Sequence, residues 1–291
     1  MQICKTIPAL RQLLDGYRKE GKSIGLVPTM GALHSGHISL IEKANSANDL
    51  TVCSIYVNPT QFNNQDDFEM YPQTLEKDCE MLKPAGCDVV FAPSHNEMYP
   101  DGFHENLIQL NFGGIAEELE GKFRPGHFNG VGIVVTKLFN IVNPDKAYFG
   151  QKDLQQFLII SKLVKDFSFG IDLVCCAIVR EEDGLAMSSR NSRLSQEERN
   201  EASLLFKVLS EAKEKLIFGE DVSVVGNEAR QQIASNQFFK LEYFEIVDIK
   251  SLKPIHKINN LEDIALCVSA HLGKARLIDN MLVKTSKVGV N

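Results

Sequence analysis

Short apolar runs alternate with helical patterns along the first two thirds of the chain. Short apolar runs typical of β-structure predict strands at 23–29, 50–57, 88–92, 146–149 and 171–179. Apolar residues at helical spacing predict helices between them, at 36–47, 74–82, 129–142 and 153–167. Strands that alternate with helices are typical of a parallel sheet covered on both faces. We therefore predict an α/β, Rossmann-like, doubly wound sheet whose ligand crevice lies at the carboxyl ends of the strands.

The pattern changes after Val179. Ser195 and Glu198 form a capping-box signature that predicts the start of one long helix. The buried stripe of that helix is predicted at Leu205, Val208, Leu209, Ala212 and Leu216. A second helix near 221–235 precedes strands at 241–249, 264–272 and 275–283 with no helices between them. This order predicts a Rossmann-like domain over residues 1–179 and a smaller α+β domain over 180–291 that closes over the site.

Composition narrows the class of protein. The 291 residues are 44% hydrophobic and 24% charged, which is typical of a soluble globular protein. A net charge of −7 argues against nucleic-acid partners, since phosphate polyanions would be repelled overall. Charged and proline residues interrupt the N-terminal segment, so neither a signal peptide nor a membrane span is predicted. The seven cysteines show no CxxC spacing, which favours reduced thiols in the cytoplasm.

The most informative segment runs from Pro28 to His37 and reads PTMGALHSGH, directly after a predicted strand. His34 and His37 are three residues apart, so both can face one side of a helix N-terminus. Gly31 and Gly36 let the backbone approach a ligand closely. Free N–H groups and the positive helix end favour phosphate oxygens and should lower the proton affinity of both imidazoles. This HxGH pattern is the signature of the nucleotidylyl-transferase superfamily.

Three further segments follow predicted strands. Gln61 in NPTQF offers an amide that suits a polyhydroxy acid, although a solvated turn is the plainer interpretation. In KAYFGQKDLQQ, Lys152 places a cation at a helix N-terminus, and Gln156 lies on the same face. Asp153 is either a helix cap or part of the site. The fourth segment is 179–191. Its residues Ser188, Ser189 and Arg190 offer hydroxyls and a guanidinium that could hold phosphates, although an ordinary polar loop is the other interpretation.

Together these segments closely resemble the pantothenate synthetase family. The matching motifs are PTMGALHSGH, NPTQF, RPGHFNGV, AYFGQKDLQQ and REEDGLAMSSRN, in register across residues 24–194. The resemblance implies an AMP-forming ligase of pantothenate biosynthesis, on the pathway to coenzyme A. Pantoate would attack the α-phosphorus of Mg²⁺-ATP, and β-alanine would then attack the resulting pantoyl adenylate. A homodimer is implied by the resemblance alone.

The resemblance also assigns residues to the site. The implied catalytic residues are His34, His37, Lys152 and Arg190. The implied ATP site comprises Met30, Gly31, Ala32, Leu33, His34, Ser35, Gly36, His37, Gly150, Gln151, Lys152, Asp153, Val179, Met187, Ser188, Ser189 and Arg190. Gln61 and Gln156 would hold pantoate, and Gln61 would border β-alanine. Gln151 stands where many relatives have glutamate. We expect this difference to change the local charge next to Lys152 but not the function.

Several alternatives stay open at this point. The two histidines could instead bind a metal, but no third ligand is evident nearby, so no dedicated metal site is predicted. Mg²⁺ is expected to be held by ATP. Asp66, Asp67 and Asp78 could assist, but the plainer interpretation of each is a surface carboxylate. The 124–128 loop could cover the site or contact another subunit. Another HxGH transferase, an aminoacyl-tRNA synthetase or a non-catalytic nucleotide-binding module are the competing functions.

Overall fold

The first two thirds of the chain form a six-stranded parallel sheet. The computed structural model describes residues 1–102 and 107–283. The strands are β1 Gln2–Cys4, β2 Ile24–Thr29, β3 Leu50–Ile55, β4 Val89–Phe91, β5 Lys146–Gly150 and β6 Asp172–Cys176. The helices of this region are α1 Ile7–Lys19, α2 Ser35–Asn45, α3 Gln65–Glu69, α4 Leu75–Leu82, α5 His95–Met98, α6 Leu119–Phe123, α7 His127–Val142 and α8 Leu154–Asp166.

The strand order creates a crevice between β2 and β5. The order across the sheet is β1-β4-β3-β2-β5-β6, and every pairing is parallel. The chain proceeds outward from β2 through β3 to β4, then returns to place β5 on the other side of β2. Ligands of such sheets bind where the order reverses, outside the carboxyl ends of the strands. The predicted α/β Rossmann-like class is therefore confirmed, and the crevice lies after β2 and β5.

Helices cover both faces of the sheet because successive strand residues point to opposite sides. Leu26 and Phe149 contribute to a core with α1, α7 and α8, whereas Val27 and Tyr148 contribute to a second core with α2 and α4. The apolar stripe along α7 is buried: Val131, Val134, Val135, Leu138 and Val142. The predicted strand and helix positions in this region agree with the structure to within a few residues.

The C-terminal third has its own antiparallel sheet and core. Its helices are α9 Gln196–Glu201, α10 Leu204–Ile217 and α11 Val222–Ala234, and its strands are β7 Phe239–Asp248, β8 Ile264–Leu272 and β9 Ala275–Leu282. The capping box of Ser195 and Glu198 is present, but the prediction of one long helix is wrong, because α9 ends at Glu201 and α10 begins at Leu204. The stripe from Leu205 to Leu216 is buried against the sheet. The boundary near residue 179 stays a prediction.

The two sheets are joined by a shared apolar contact and by hydrogen bonds. Leu119 and Leu154 pack with Tyr243 and Leu282 in one buried cluster. The side chain of Asn280 donates to the carbonyl oxygens of residues 151 and 152, at 2.9 Å each. The small sheet therefore holds the turn that follows β5.

Two features of the N-terminal segment were missed by the sequence analysis. The edge strand β1 pairs with β4, and the helix α1 packs Leu10 and Leu14 into the core.

The seven cysteine thiols are free, and Cys4, Cys53, Cys87 and Cys267 are buried. Across residues 1–102 and 107–283, no helix has the length and apolar character needed to span a bilayer.

Candidate active site

A cavity of about 220 Å³ opens at the carboxyl ends of β2 and β5. All four segments singled out in the sequence contribute to its wall. The predicted site residues that line it are Met30, His34, Gly36, His37, Gln61, Gly150, Lys152, Asp153, Gln156, Val179, Met187, Ser188, Ser189 and Arg190. Segments that are far apart in the chain therefore meet at the place that the fold favours for ligand binding.

The turn after β2 is held from beneath by a buried carboxylate. Gly31 and Ala32 have φ angles of 81° and 50°, in the left-handed region that favours glycine. The carboxylate of Asp78, on α4, accepts hydrogen bonds from the backbone N–H groups of Ala32 and Leu33, at 3.1 and 2.8 Å. The hydroxyl of Thr74 donates to the same carboxylate, at 3.2 Å. The interpretation of Asp78 as a surface carboxylate is therefore wrong, since its exposed fraction is 1%.

The two histidines have defined tautomers. The backbone N–H of Gly36 donates to Nδ1 of His34 at 3.2 Å, and that of His34 donates to Nδ1 of His37 at 3.3 Å. Because both Nδ1 atoms accept, each neutral ring carries its proton on Nε2. The ring centroids lie 4.0 Å apart. Both imidazoles can therefore donate an Nε2–H group to a ligand.

Both histidine pKa values are low. Burial, followed by the charge of Lys152, lowers the pKa of His34 to about 4. Burial, followed by the effects of His34 and Lys152, lowers the pKa of His37 to about 3. The direction agrees with the expectation from the sequence, but burial is the leading cause. At neutral pH the two rings are uncharged hydrogen-bond donors.

The turn after β5 divides its side chains between the cavity and the small sheet. Lys152 and Asp153 line the cavity, whereas the amide of Gln151 donates to Oδ1 of Asn280 at 3.1 Å. The predicted helix cap by Asp153 is absent, because its side chain makes no capping hydrogen bond. Among the described residues, neither Lys152 Nζ nor the amide of Gln156 has a hydrogen-bond partner. Both groups are available to a ligand.

The segment after β6 closes one end of the cavity. Ser188 caps the short helix Ser189–Arg193 by accepting a hydrogen bond from the backbone N–H of Arg190, at 3.2 Å. The guanidinium groups of Arg190 and Arg193 bind the two oxygens of Asp67, at 2.9 and 3.0 Å. Burial opposes the ionisation of Asp67, but the two arginines hold its pKa below the ordinary value. Asp67 is thus an ion-pair partner of the loop.

Gln61 is oriented by residues that the sequence analysis did not select. Its Oε1 accepts a hydrogen bond from Asn58 at 3.1 Å, and Asn58 also donates to the carbonyl oxygen of Gly130 at 3.2 Å. Tyr99 donates to Oδ1 of Asn58 at 2.9 Å. With its oxygen engaged, Gln61 directs its amide NH₂ to the sulfur of Met30, a weak acceptor, at 2.9 Å. The NH₂ group can therefore donate its hydrogen bond to a ligand oxygen instead, because oxygen is a better acceptor than sulfur.

The 124–128 loop also reaches the cavity. His127 Nδ1 lies 2.8 Å from the carbonyl oxygen of Gln61, and its Nε2 lies 3.1 Å from Nη1 of Arg124. A carbonyl oxygen can only accept, so Nδ1 carries the proton and Nε2 accepts from the guanidinium. Burial, followed by the charge of Arg124, lowers the pKa of His127 to about 3. His127 is a neutral link between Gln61 and Arg124.

Five predicted site residues lie outside the cavity wall: Gly31, Ala32, Leu33, Ser35 and Gln151. The first three form the supported turn, and the hydroxyl of Ser35 contacts the sulfur of Met187. Conversely, Asn58, Tyr71, Arg124 and His127 line the cavity but were not predicted to belong to the site. Arg124 and His127 could have been selected from the motif RPGHFNGV, because this motif places a charged residue and a glycine directly before a helix.

The described residues contain no group of three or more His, Cys, Asp or Glu side chains that could hold a metal ion. Asp67 is engaged by two arginines, and Asp78 by backbone N–H groups. The wall instead offers neutral imidazole donors, a lysine, two arginines and amides. Such donors suit phosphate oxygens at one end and the oxygens of a small polar ligand at the other.

Comparisons with known proteins show similarity to one family over nearly the whole chain. The family model described as Pantoate-beta-alanine ligase matches residues 2–282. The pantothenate synthetase of Acetivibrio thermocellus is 48% identical over 285 residues, which cover 98% of this chain and 100% of that protein. The pantothenate synthetase structure from Thermus thermophilus matches with a TM-score of 0.90 and 39% identity, covering 97% and 99% of the two chains. The pantoate-β-alanine ligase of Francisella tularensis, solved as a complex with Beta-gamma ATP and β-alanine, matches with a TM-score of 0.81 and 38% identity, covering 98% and 99%.

Proposed function

The chain belongs to the pantoate-β-alanine ligase family, and from that premise we propose that it joins pantoate to β-alanine through an adenylate formed with ATP. One observation supports this most directly: a single cavity gathers His34, His37, Lys152 and Arg190 at one end and Gln61 and Gln156 at the other. We call the first group the phosphate wall. The second group, together with Asn58, Arg124 and His127, is the amide wall.

ATP would lie with its phosphates against the phosphate wall. The Nε2–H groups of His34 and His37 would donate to phosphate oxygens, and Lys152 would supply positive charge as the bond between the α- and β-phosphates breaks. Ser188, Ser189 and Arg190 would hold the outer phosphates, which means that the guanidinium of Arg190 must be shared with Asp67. Donors that are already in place cost no reorganisation in the transition state, which is the main electrostatic contribution to such catalysis.

Pantoate would lie against Gln61 and Gln156, which form one part of the amide wall. Gln61 and Gln156 would donate to its oxygens and align its carboxylate with the α-phosphorus, so that pyrophosphate leaves and pantoyl adenylate forms. The amine of β-alanine would then attack the acyl carbon and expel AMP. Alignment of two bound reactants accounts for a large part of the rate in such a reaction. No enzyme nucleophile takes part in this scheme.

Mg²⁺ would enter with ATP and neutralise phosphate charge, held by phosphate oxygens and water rather than by a protein cluster. We also propose that the protein is a cytoplasmic homodimer, which rests on the family alone. Light scattering coupled to size-exclusion chromatography tests the dimer, and a monomer at micromolar concentration would contradict it.

The decisive experiment is ATP–pyrophosphate isotope exchange with the purified protein. Pantoate alone should support exchange, whereas AMP and pantothenate should form only when β-alanine is also present. Exchange without pantoate, or none with it, would reject the adenylate route. Omission of Mg²⁺ should abolish exchange, and its restoration should recover it.

A further inference from the structure

Arg124 is a cavity cation that the reaction described so far does not use. Its side chain is 20% exposed, and it lines the cavity beside Gln61. Its close partners are neutral: Nε2 of His127 at 3.1 Å and the carbonyl oxygen of Gln61 at 3.5 Å. A guanidinium has five N–H donors, so most of them remain for another acceptor.

In the described part of the chain, the carboxylate nearest to Arg124 is that of Glu120, which already accepts hydrogen bonds from other side chains. Glu120 lies 3.9 Å from the guanidinium of Arg124, too far for a hydrogen bond. Its two oxygens accept from Arg276 at 2.7 and 2.8 Å, and Tyr243 also donates to it at 2.7 Å. Burial opposes the ionisation of Glu120, but Arg276 holds its pKa below the ordinary value. Glu120 therefore gives Arg124 a background negative charge without taking up its donors.

Other charges near Arg124 do not complete its hydrogen bonding. Arg276 also binds Glu242, through Nε at 3.0 Å, so that pair faces the small sheet. Asp153 raises the pKa of Arg124 while Arg190 and Arg276 lower it, and burial is the largest influence, in the lowering direction. A largely buried guanidinium with unused donors is costly unless a ligand supplies an anion. The geometry fits a small carboxylate in the adjoining part of the cavity.

The proposed reaction identifies which carboxylate this is. The carboxylate of pantoate must meet the α-phosphorus and is converted to a mixed anhydride, so it is not an anion in the second half-reaction. The ATP phosphates belong to the phosphate wall. The carboxylate of β-alanine keeps its charge throughout, and its amine must approach the acyl group held beside Gln61. Only β-alanine brings an unreacting carboxylate to this end of the cavity.

We propose that Arg124 binds the carboxylate of β-alanine, with the neutral ring of His127 fixing the guanidinium relative to Gln61. This inference rests on the proposed function and names the recognition group for its second substrate. The Nδ1–H group of His127 donates to Gln61, and its Nε2 accepts from Arg124, so one side chain sets the spacing between the two substrate-binding residues. His127 is a positioning residue in this arrangement.

The test compares two half-reactions in Arg124→Gln. We expect kcat/KM for β-alanine to fall about 100-fold, as for loss of one partner from a largely buried charged contact. Pantoate-dependent ATP–pyrophosphate exchange, which needs no β-alanine, should stay within about twofold. Lys122→Gln, which removes an exposed charge from α6, the helix that ends directly before Arg124, is the matched control and should leave both rates unchanged.

A substrate analogue separates recognition from structural damage. 3-Aminopropanamide keeps the amine of β-alanine but has no carboxylate, so Arg124→Gln should process it as well as the wild type does. Arg124→Lys should recover part of the preference for β-alanine. Equal losses with both amines, loss of exchange, or an unchanged kcat/KM for β-alanine would each overturn the assignment. Absence of exchange in the wild type would instead reject the proposed function itself.

Discussion

The phosphate wall and the amide wall of the cavity are built in different ways. In the phosphate wall, the hydrogen bonds that orient His34 and the backbone of Arg190 join residues two positions apart, and Asp78 is a distant support, 46 positions from Ala32. In the amide wall, Asn58 bonds the carbonyl oxygen of Gly130, and His127 bonds that of Gln61, across 72 and 66 positions of the chain. The phosphate wall is organised mainly by local turns, and the amide wall mainly by tertiary packing.

This difference separates two kinds of function in one cavity. In the proposed reaction, the local turns would present donors to phosphate groups, which are common to all nucleotides. The long-range network would set the spacing between the groups that contact the two organic substrates, and so would determine which acid and which amine fit. We therefore expect damage to the phosphate wall to affect every step, and damage to the amide wall to affect one substrate at a time.

The largest effect is expected from loss of the phosphate wall. His37→Ala and Lys152→Ala should each lower turnover by at least about 10²-fold, the scale of losing one transition-state donor. Because the adenylation step itself is damaged, pantoate-dependent exchange should fall in parallel with pantothenate formation. Steady-state and exchange rates measured on the same preparations check this. Near-normal exchange in either variant would remove that residue from the phosphate wall.

Removal of the Asp78 carboxylate, which accepts hydrogen bonds from the turn after β2, should reduce the stability of the fold. Asp78→Ala leaves the backbone N–H groups of Ala32 and Leu33 without their acceptor, so the free energy of unfolding should fall by about 1–3 kcal/mol. Urea denaturation measures the change. Glu80→Ala removes an exposed carboxylate from the same helix and should change stability little. If both variants behave alike, the turn does not depend on Asp78.

A smaller and more selective effect is expected from the amide wall. Gln61→Ala should raise KM for pantoate about tenfold, the scale of one or two lost hydrogen bonds, while KM for ATP stays unchanged. Initial rates at varied pantoate and varied ATP separate the two constants. Gln65→Ala, at an exposed glutamine of the next helix, serves as the control. A parallel rise in KM for ATP would mean that the two walls are not independent.

The effect that is smallest at neutral pH is a dependence of stability on pH. His127 is buried, with a pKa of about 3, whereas an unfolded histidine titrates near 6.5. As pH falls from about 6.5 toward 4, the unfolded chain binds a proton at this histidine that the folded chain does not bind, so His127 alone removes up to about 1.4 kcal/mol of stability per pH unit. Urea denaturation at several pH values should show a shallower slope for His127→Asn. His256→Asn, at an exposed position, should keep the wild-type slope.

Errors of the sequence analysis fall where a residue's partner is distant in the chain. Asp78 was interpreted as a surface carboxylate because nothing in its helix shows that the turn containing Ala32 packs on it. The contact of the Gln151 side chain with Asn280 of the small sheet was likewise not evident from its motif. The helix after Ser195 was predicted as continuous because its polar start and its buried stripe share one helical pattern.

The packing of α7 against the 59–61 turn illustrates the same limit. A Cβ on Gly130 would lie 2.1 Å from the carbonyl oxygen of Thr60, so only glycine permits this approach. The approach places the loop before α7 against Gln61, which puts Arg124 and His127 in the cavity. The motif RPGHFNGV contains all three residues, yet its spacing alone left the loop's location open.

The sequence by itself determined the α/β class, most strand and helix positions and the segments that form the phosphate wall. It could do so because periodicity, helix N-termini and glycine turns are set by residues a few positions apart. Only the tertiary structure decided how the amide wall is assembled, that Asp78 supports the turn and that Arg124 keeps donors free beside Gln61. Those features depend on which surfaces pack together, and the free energy of that packing comes from contacts between residues far apart in the chain.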